Sequence, residues 1–215
     1  MKTILLKDAA ALIPDGASVM IGGFMGVGTP ERLVDELVRQ GKRNLTVIAN
    51  DNALPGIGIG KLISAGAVKK TIASHIGLNP ETQKKMLAGE LEVDLVPQGT
   101  LIERIRAGGF GLGGVLTPTG VGTVVEKGKQ RIEVAGKPYL LETALRADFA
   151  LVQAFLADYV GNLYYALTAR NFNPVMAMAA DTVIVDAENI VPVGVISPDQ
   201  VVTPAPVVDY IISHA

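Results

Sequence analysis

Residues 17–28 place four glycines directly after a short apolar run, and this stretch constrains the fold more than any other. The apolar residues 17–21 predict a buried strand. The next seven residues read GGFMGVG. Glycine has no Cβ and tolerates positive φ, so such a loop lets backbone amides approach a ligand closely. The stretch therefore predicts a strand followed by a ligand-binding loop, with a tight turn that binds nothing as the alternative.

The residues after the loop predict a helix that ends near Gly41. Thr29 is a favourable N-cap and Pro30 suits the first helical position. An apolar stripe at Leu33, Val34, Leu37 and Val38 predicts the buried face, whereas Arg32, Asp35, Glu36 and Arg39 are expected to face water. The N-terminus of such a helix favours a phosphate or carboxylate group. The loop and helix together predict an anion site.

Two well-known phosphate loops can be tested against residues 22–30. A P-loop ends in Gly-Lys-Ser/Thr, but here Gly28 is followed by Thr29 and Pro30. A dinucleotide-binding loop needs G-x-G-x-x-G, and Glu31 occupies the third glycine position. Asp51, about twenty residues on, keeps a nicotinamide-binding hypothesis open. The P-loop hypothesis fails.

Charge and composition exclude several classes of function. The net charge of -2 and the pI of about 5.7 give no electrostatic basis for nucleic-acid binding, and aromatic residues make up only 5%. The chain has no cysteine, hence no disulfide or thiolate nucleophile. No apolar run approaches the ~18 residues of a membrane span, and the first ten residues are too briefly apolar for a signal peptide. We expect a cytoplasmic protein.

Short apolar runs alternate with helical patterns along the chain. Strands are predicted at residues 45–49, 68–73, 93–96 and 182–186, and helices at 81–88 and 100–107. This alternation predicts an α/β protein with an open, mostly parallel sheet flanked by helices. We find no linker or repeat, so residues 1–215 are expected to form a single domain. Polar residues at the strand ends are predicted to gather at the carboxyl edge of the sheet, where ligands bind in such folds.

Residues 108–122 hold seven glycines in GGFGLGGVLTPTGVG. This composition predicts neither a regular helix nor a strand. A long ordered loop is usually functional, so the segment is predicted to line a cleft or a partner surface.

No residue of the chain is a convincing nucleophile or metal ligand. His75 and His214 are the only histidines and lie far apart, which disfavours a metal site. No G-x-S-x-G elbow occurs. Glu142 lies among apolar residues, where an ion pair at a strand edge is favoured over catalysis. The sequence thus predicts a binding loop without catalytic machinery.

Several blocks resemble family I coenzyme A transferases, in the subunit called A or alpha. The first is DGASVMIGGFMGVGTP, and the others follow in the family's order: IANDNA, SHIGLNPET, VPQGTLIERIRAGGFGLGG, TPTGVGTVVEKGK and ARNFNP. The resemblance covers essentially the whole chain. It implies the family's open α/β fold and an assembly of two A and two B subunits.

The resemblance also implies an activity: exchange of coenzyme A between a short-chain acyl-CoA and a carboxylate such as acetate, butyrate or acetoacetate. In the family a glutamate of the B subunit, in a Ser-Glu-Asn-Gly block absent here, attacks the thioester, and a glutamyl-CoA thioester forms in a ping-pong reaction. The resemblance implies no metal and no cofactor beyond coenzyme A. The implied CoA-binding residues are Gly22, Gly23, Phe24, Met25, Gly26, Val27 and Gly28. Gln98, Asn50 and Asn52 are implied near the acyl or oxyanion pocket.

Two other functions stay open at this stage. A stand-alone phosphate- or nucleotide-binding protein could use the same loop as an anion site. A nicotinamide-dependent reductase could use Asp51 as a ribose ligand, although the broken third glycine counts against it.

Overall fold

A computed structural model describes residues 2–213 of the chain, so His214 lies outside the described residues. The strands are β1 (Lys2–Ile4), β2 (Ser18–Ile21), β3 (Leu45–Asp51), β4 (Val68–His75), β5 (Glu92–Leu95), β6 (Gly114–Thr117), β7 (Arg131–Val134), β8 (Lys137–Thr143), β9 (Ala147–Asp158), β10 (Leu163–Tyr164), β11 (Ala180–Val191) and β12 (Tyr210–Ile212). The helices are α1 (Leu6–Ala11), α2 (Glu31–Arg39), α3 (Ile59–Ser64), α4 (Pro80–Leu87), α5 (Gln98–Gly109) and α6 (Asn173–Ala177). None of these helices is long and apolar enough to cross a membrane.

Nine of the described strands form one sheet in the order β1-β12-β11-β9-β2-β3-β4-β5, with β10 paired antiparallel to β9. All other pairs in this sheet are parallel, which confirms the predicted mostly parallel α/β fold. On one side of β2 the sheet continues through β3, β4 and β5 in chain order, whereas on its other side β2 pairs with β9. In open parallel sheets such a reversal of strand order leaves a crevice at the carboxyl ends. The glycine loop, residues 22–28, starts at that position.

The side chains of β2 pack on both faces of the sheet. Val19 and Ile21 belong to one buried cluster with the apolar face of α2, and Met20 belongs to the cluster on the opposite face with Leu101 of α5 and Met176 of α6. Alternation with period 2 puts successive residues on opposite faces, so a four-residue strand is buried on both sides. This burial fixes the strand from which the glycine loop starts.

The expectation that residues 108–122 form no regular structure is wrong for residues 108–109 and 114–117, whereas residues 110–113 and 118–122 are turns or irregular. Gly108 and Gly109 are the last turn of α5, and β6 pairs with β8 in a three-stranded antiparallel sheet, β6-β8-β7. A Cβ at Gly108 would lie 2.3 Å from the carbonyl oxygen of Leu145, and one at Gly114 would lie 2.4 Å from that of Glu142. These glycines permit close packing of backbone segments rather than loop flexibility.

Two expectations for α2 are also corrected. The helix begins at Glu31 with Pro30 at the capping position, and the Thr29 hydroxyl donates to the carbonyl oxygen of Gly22 at 3.0 Å instead of capping the helix. Glu36 is buried rather than facing water. Its carboxylate accepts hydrogen bonds from Arg39 and Gln40, which satisfies the buried charge. Leu33, Val34 and Leu37 are buried as predicted.

The buried Glu36 predicts a specific dependence of stability on pH. Hydrogen bonds from Arg39 and then from Gln40 lower the pKa of Glu36 from 4.5 to about 2. Because its pKa is lower in the folded chain, ionised Glu36 stabilises the fold above pH 4.5, and this contribution is lost as the pH falls towards 2. We expect Glu36→Gln to lower the free energy of unfolding by about 1 kcal/mol at pH 7. Urea unfolding at pH 7 and pH 3.5 should show the difference shrinking at the lower pH; an unchanged difference would contradict this role.

Candidate functional site

The glycine loop folds back on itself in a tight two-residue turn. The backbone N–H of Phe24 donates to the carbonyl of Val27 at 3.0 Å, and that of Val27 donates to Phe24 at 2.9 Å. Met25 and Gly26 at the turn centre have φ of 51° and 90°, as a type I′ turn requires. The turn leaves the side chains of Phe24, Met25 and Val27 exposed at the carboxyl edge of the sheet.

Three backbone amides of the loop have no hydrogen-bond acceptor among the described residues; Gly26 and Gly28 are partly exposed, whereas Gly23 is buried. Across residues 2–213, the N–H groups of Gly23, Gly26 and Gly28 meet no acceptor, whereas those of the intervening residues are hydrogen-bonded. Gly28 has φ of 81°, and a Cβ there would lie 2.8 Å from Cα of Ala169. Clustered free N–H groups near the start of a helix form a site for a negatively charged oxygen.

Asp51, at the end of β3, supports the loop from one side. Its carboxylate accepts the N–H of Met25 at 3.0 and 3.2 Å and the N–H of Ala53 at 2.7 Å. The side chain is buried, with 4% of the residue exposed. These bonds hold the turn and the left-handed Ala53 (φ 51°) in place. The carboxylate thus points into the protein and not towards a ribose.

The two predicted pocket residues Asn50, on β3, and Asn52, just after it, are both buried. Asn52 is buried in a network in which its Oδ1 accepts from Thr71 Oγ1 at 3.0 Å and its carbonyl accepts from Asn79 Nδ2 at 3.0 Å. Asn50 is also buried, and its carbonyl accepts the Ser74 hydroxyl at 2.7 Å. Asn52 is therefore committed to the packing of β3 against β4 and α4, and it supports the edge of the sheet from behind.

Gln98 is the first residue of α5, with Val96 and Pro97 between it and the end of β5. Its side chain is exposed and forms no hydrogen bond within the described part of the chain. The strands β2 and β5 are three positions apart in the sheet, or roughly 14 Å at the usual strand spacing. Gln98 and the glycine loop thus lie along one edge, at a separation that an extended ligand can span.

A cavity of ≈ 330 Å³ adjoins the other side of the glycine loop. It is lined by Val27, Gly28, Phe155, Gln153 and residues 166–169. Leu167, with φ of 48°, is 93% exposed at its rim. Gln153 donates to Glu188 at 2.5 Å and separates this cavity from one of ≈ 350 Å³ beside the Arg32–Asp186 ion pair. On this side of the site the sequence marks only the ARNFNP block, which begins at Ala169, because β9 and β11 carry no motif.

Glu142 lies on β8 and is only 3% exposed. Lys129 Nζ lies 2.5 Å from its Oε1, and Arg104 Nε lies 3.9 Å from its Oε2. The ion pair was expected, but β8 is the central strand of the small sheet rather than an edge. A carboxylate paired with two cations is a poor nucleophile, since attack would forfeit both interactions.

Glu142→Gln should therefore leave catalysis nearly intact in any assembly this chain forms. We expect kcat to stay within about twofold, while the free energy of unfolding falls by about 1–2 kcal/mol because Lys129 loses its ion partner. Steady-state kinetics and thermal melting measure the two effects separately. A loss of activity of about a thousandfold in a folded variant would make Glu142 the nucleophile and overturn this assignment.

Residues 2–213 contain no cluster of three or more His, Asp or Glu side chains that could hold a metal ion.

The family model described as Coenzyme A transferase matches residues 3–214. The chain belongs to the coenzyme A transferase family. This transferase chain is 57% identical to "Acetate CoA-transferase subunit alpha" of Escherichia coli (strain K12), over 98% of this chain and 96% of the relative. It is 53% identical to "Acetoacetyl-CoA:acetate/butyrate CoA transferase alpha subunit" of Clostridium acetobutylicum, over 99% of this chain and 98% of that relative.

A solved structure agrees on the fold of this transferase chain. An acyl-CoA transferase of Escherichia coli O157:H7, crystallised as a thioester complex with CoA, superposes with a TM-score of 0.87 at 23% identity. The match covers 98% of this chain and 46% of that one, so the present chain corresponds to just under half of that protein. The fold and the family predicted from the sequence are confirmed; the roles of individual loop residues stay predictions.

Proposed function

We propose that this chain is the A (alpha) subunit of a short-chain acyl-CoA:carboxylate CoA-transferase that acts on acetate, butyrate or acetoacetate. The observation that carries the proposal is that the N–H groups of Gly23, Gly26 and Gly28 have no acceptor within residues 2–213, in the loop that follows β2, where the strand order reverses. The two relatives named above, alpha subunits of acetate and acetoacetyl-CoA:acetate/butyrate transferases, support this choice of substrates.

The proposed chemistry is covalent catalysis divided between two chains. A glutamate carboxylate of the B subunit attacks the thioester carbonyl, and CoA thiolate leaves to give a mixed anhydride. The thiolate then attacks the glutamyl carbonyl, which releases the first acid and leaves a glutamyl-CoA thioester. A second carboxylate reverses these steps and departs as the new acyl-CoA. Each half-reaction conserves one thioester bond, so no oxidant or metal is required.

In this proposal the present chain binds and orients the substrate. The glycine loop, residues 22–28, holds coenzyme A through its free amides. Gln98, exposed and without a partner in the described part of its chain, donates to the oxygen that gains negative charge as the thioester is attacked. Asn50 lines the same edge, and Asn52 keeps it in place. Coenzyme A is the only cofactor-like group, and it enters as substrate.

We further propose an assembly of two A and two B chains in the cytoplasm, with no role for nucleic acid or membrane. The exposed apolar side chains of Phe24, Met25 and Val27 support a contact between the glycine loop and the B subunit. The net charge of -2 agrees with substrates that reach the site through local amides rather than through a broad basic surface.

Initial-rate kinetics test this function in the complex of both chains. Varying acetoacetyl-CoA at several fixed acetate concentrations should give parallel double-reciprocal lines, because the first product leaves before the second substrate reacts. Intersecting lines would contradict the glutamyl-CoA intermediate. A complex that binds inorganic phosphate or a nucleotide through the loop but transfers no CoA would instead favour the stand-alone anion-binding function.

A further inference from the structure

Asn173, the first residue of α6, is fully buried and uses both ends of its side-chain amide. Its Nδ2 donates to the carbonyl oxygen of Gly28 at 2.8 Å and to that of Ala169 at 2.9 Å. Its Oδ1 accepts the backbone N–H of Gln153 on β9 at 3.1 Å. One side chain thus joins the glycine loop to the neighbouring strand and to residues 166–169.

The same amide also contacts the start of the glycine loop. A Cβ at Gly22 would lie 1.7 Å from Asn173 Oδ1, and a Cβ at Gly28 would lie 3.1 Å from Asn173 Nδ2. The first and last residues of the loop therefore both pack against Asn173. Glycine at these two positions is explained by that close approach.

The side chain of Asn173 is not used to stabilise its own helix. An asparagine at a helix start commonly caps the free N–H groups of the first turn. Here the acceptor oxygen takes an N–H from β9, and both donors go to carbonyls outside α6. The hydrogen bonds of Asn173 are thus directed to the elements that carry the site.

We propose that Asn173 is the positioning residue of the glycine loop, fixing the directions in which Gly23, Gly26 and Gly28 present their free amides to acyl-CoA. The inference rests on the proposed function of the loop. It assigns to the ARNFNP block a role in substrate binding. Ala169 and Asn173, which are hydrogen-bonded to each other, both pack against Gly28 at the end of the loop. Asp51 holds the tip of the same loop from the opposite side.

Asparagine is required at this position because two donors and one acceptor are needed together. Aspartate has the same shape but, when ionised, no N–H, so two carbonyl oxygens would face a carboxylate. The buried carboxylate would be repelled and the end of the loop released. Protonation returns one O–H donor, and burial among carbonyls raises the pKa of an aspartate placed there. The defect of an Asn173→Asp variant should therefore lessen at lower pH.

The test is steady-state kinetics of Asn173→Asp in the assembled enzyme. We expect kcat/KM for acyl-CoA to fall at least about tenfold at pH 8, and kcat/KM for acetate to change less than about threefold. The kcat/KM for acetate describes the reaction of an enzyme that already carries CoA, so a loss of CoA binding does not lower it. At pH 5.5 the variant should recover several-fold relative to wild type at the same pH. Asn44→Asp, on an exposed turn remote from the site, is the matched control.

A second variant and a second measurement protect the test against misfolding. Asn173→Ser keeps one donor without a charge and should show the same split with a smaller loss. Hydrogen–deuterium exchange of the peptide holding residues 22–28 should be faster in both variants than in wild type. Equal falls of both kcat/KM values, or unchanged values and unchanged exchange, would overturn the proposal. If wild-type complex transfers no CoA, the proposed function fails, yet the exchange experiment still decides whether Asn173 positions the loop.

Discussion

Replacing Gly28 with valine should reduce kcat/KM for acyl-CoA about 10- to 100-fold while affecting the value for acetate much less. The backbone at Gly28 has φ of 81°, and a Cβ would meet the backbone of Ala169 at 2.8 Å. A side chain in this conformation costs about 1–3 kcal/mol, and each 1.4 kcal/mol is a tenfold change. The valine also displaces one of the three free amides. Gly26→Val should act in the same direction but more weakly, since its Cβ would meet the Cγ2 methyl group of Ile57 rather than backbone atoms.

Gly41→Val is the matched control for this experiment. Gly41 has φ of 69° at the end of α2, with open space around the position of a Cβ, so it shares the backbone strain without touching the loop. It should lower Tm but leave both kcat/KM values near wild type. Equal losses for acyl-CoA and acetate in Gly28→Val would mean that the loop is structural rather than part of the CoA site.

Replacing Asp51 with alanine should produce the largest loss of stability among the site residues. The change leaves the N–H groups of Met25 and Ala53 without their acceptor inside the protein. Unsatisfied buried donors cost about 1–3 kcal/mol each, so we expect the free energy of unfolding to fall by about 2–4 kcal/mol. For a chain of this size that corresponds to a fall in Tm of roughly 5–15 °C, measurable by calorimetry.

Asp51→Asn separates this support role from ligand binding. The amide oxygen can still accept from Ala53 and Met25, so the variant should melt within a few degrees of wild type. If Asp51 instead bound a ribose, both Asp51→Ala and Asp51→Asn would keep the stability of the wild type and would lose affinity for NADH in a titration. A stable Asp51→Ala protein would contradict the hydrogen-bonding role assigned here.

The parallel sheet and the glycine loop were predictable because their signals are local in the sequence. The apolar run at 17–21, the glycines after it and the stripe of Leu33, Val34 and Leu37 each follow from the period of one element. The pairing of β1 with β12, residues about two hundred positions apart, leaves no such local signal. The sequence misleads at Gly108, Gly109 and Gly114, because glycine marks both loops and close backbone packing, and only the tertiary contacts distinguish them.

The sequence predicted the glycine loop of the candidate site but not the side chains that hold the loop in place. The loop residues carry a recognisable pattern, whereas Asn173 and Asp51 act through contacts 145 and 26 residues away in sequence. The burial of Asn52 in a hydrogen-bond network was equally hidden, since an asparagine at a strand end has the same sequence appearance whether it faces a ligand or the core. Glu36 shows the same effect on α2, where an acidic residue on the expected polar side is buried and accepts hydrogen bonds from Arg39 and Gln40.

The most direct test of the divided active site is turnover of acetoacetyl-CoA with acetate, measured together with native mass. The assay compares this chain alone with the chain co-expressed with a candidate partner that carries a Ser-Glu-Asn-Gly block. We predict turnover only in a complex that contains both chains, with none above background from this chain alone. Full activity from this chain alone would contradict the account, because the nucleophile would then lie among its own carboxylates.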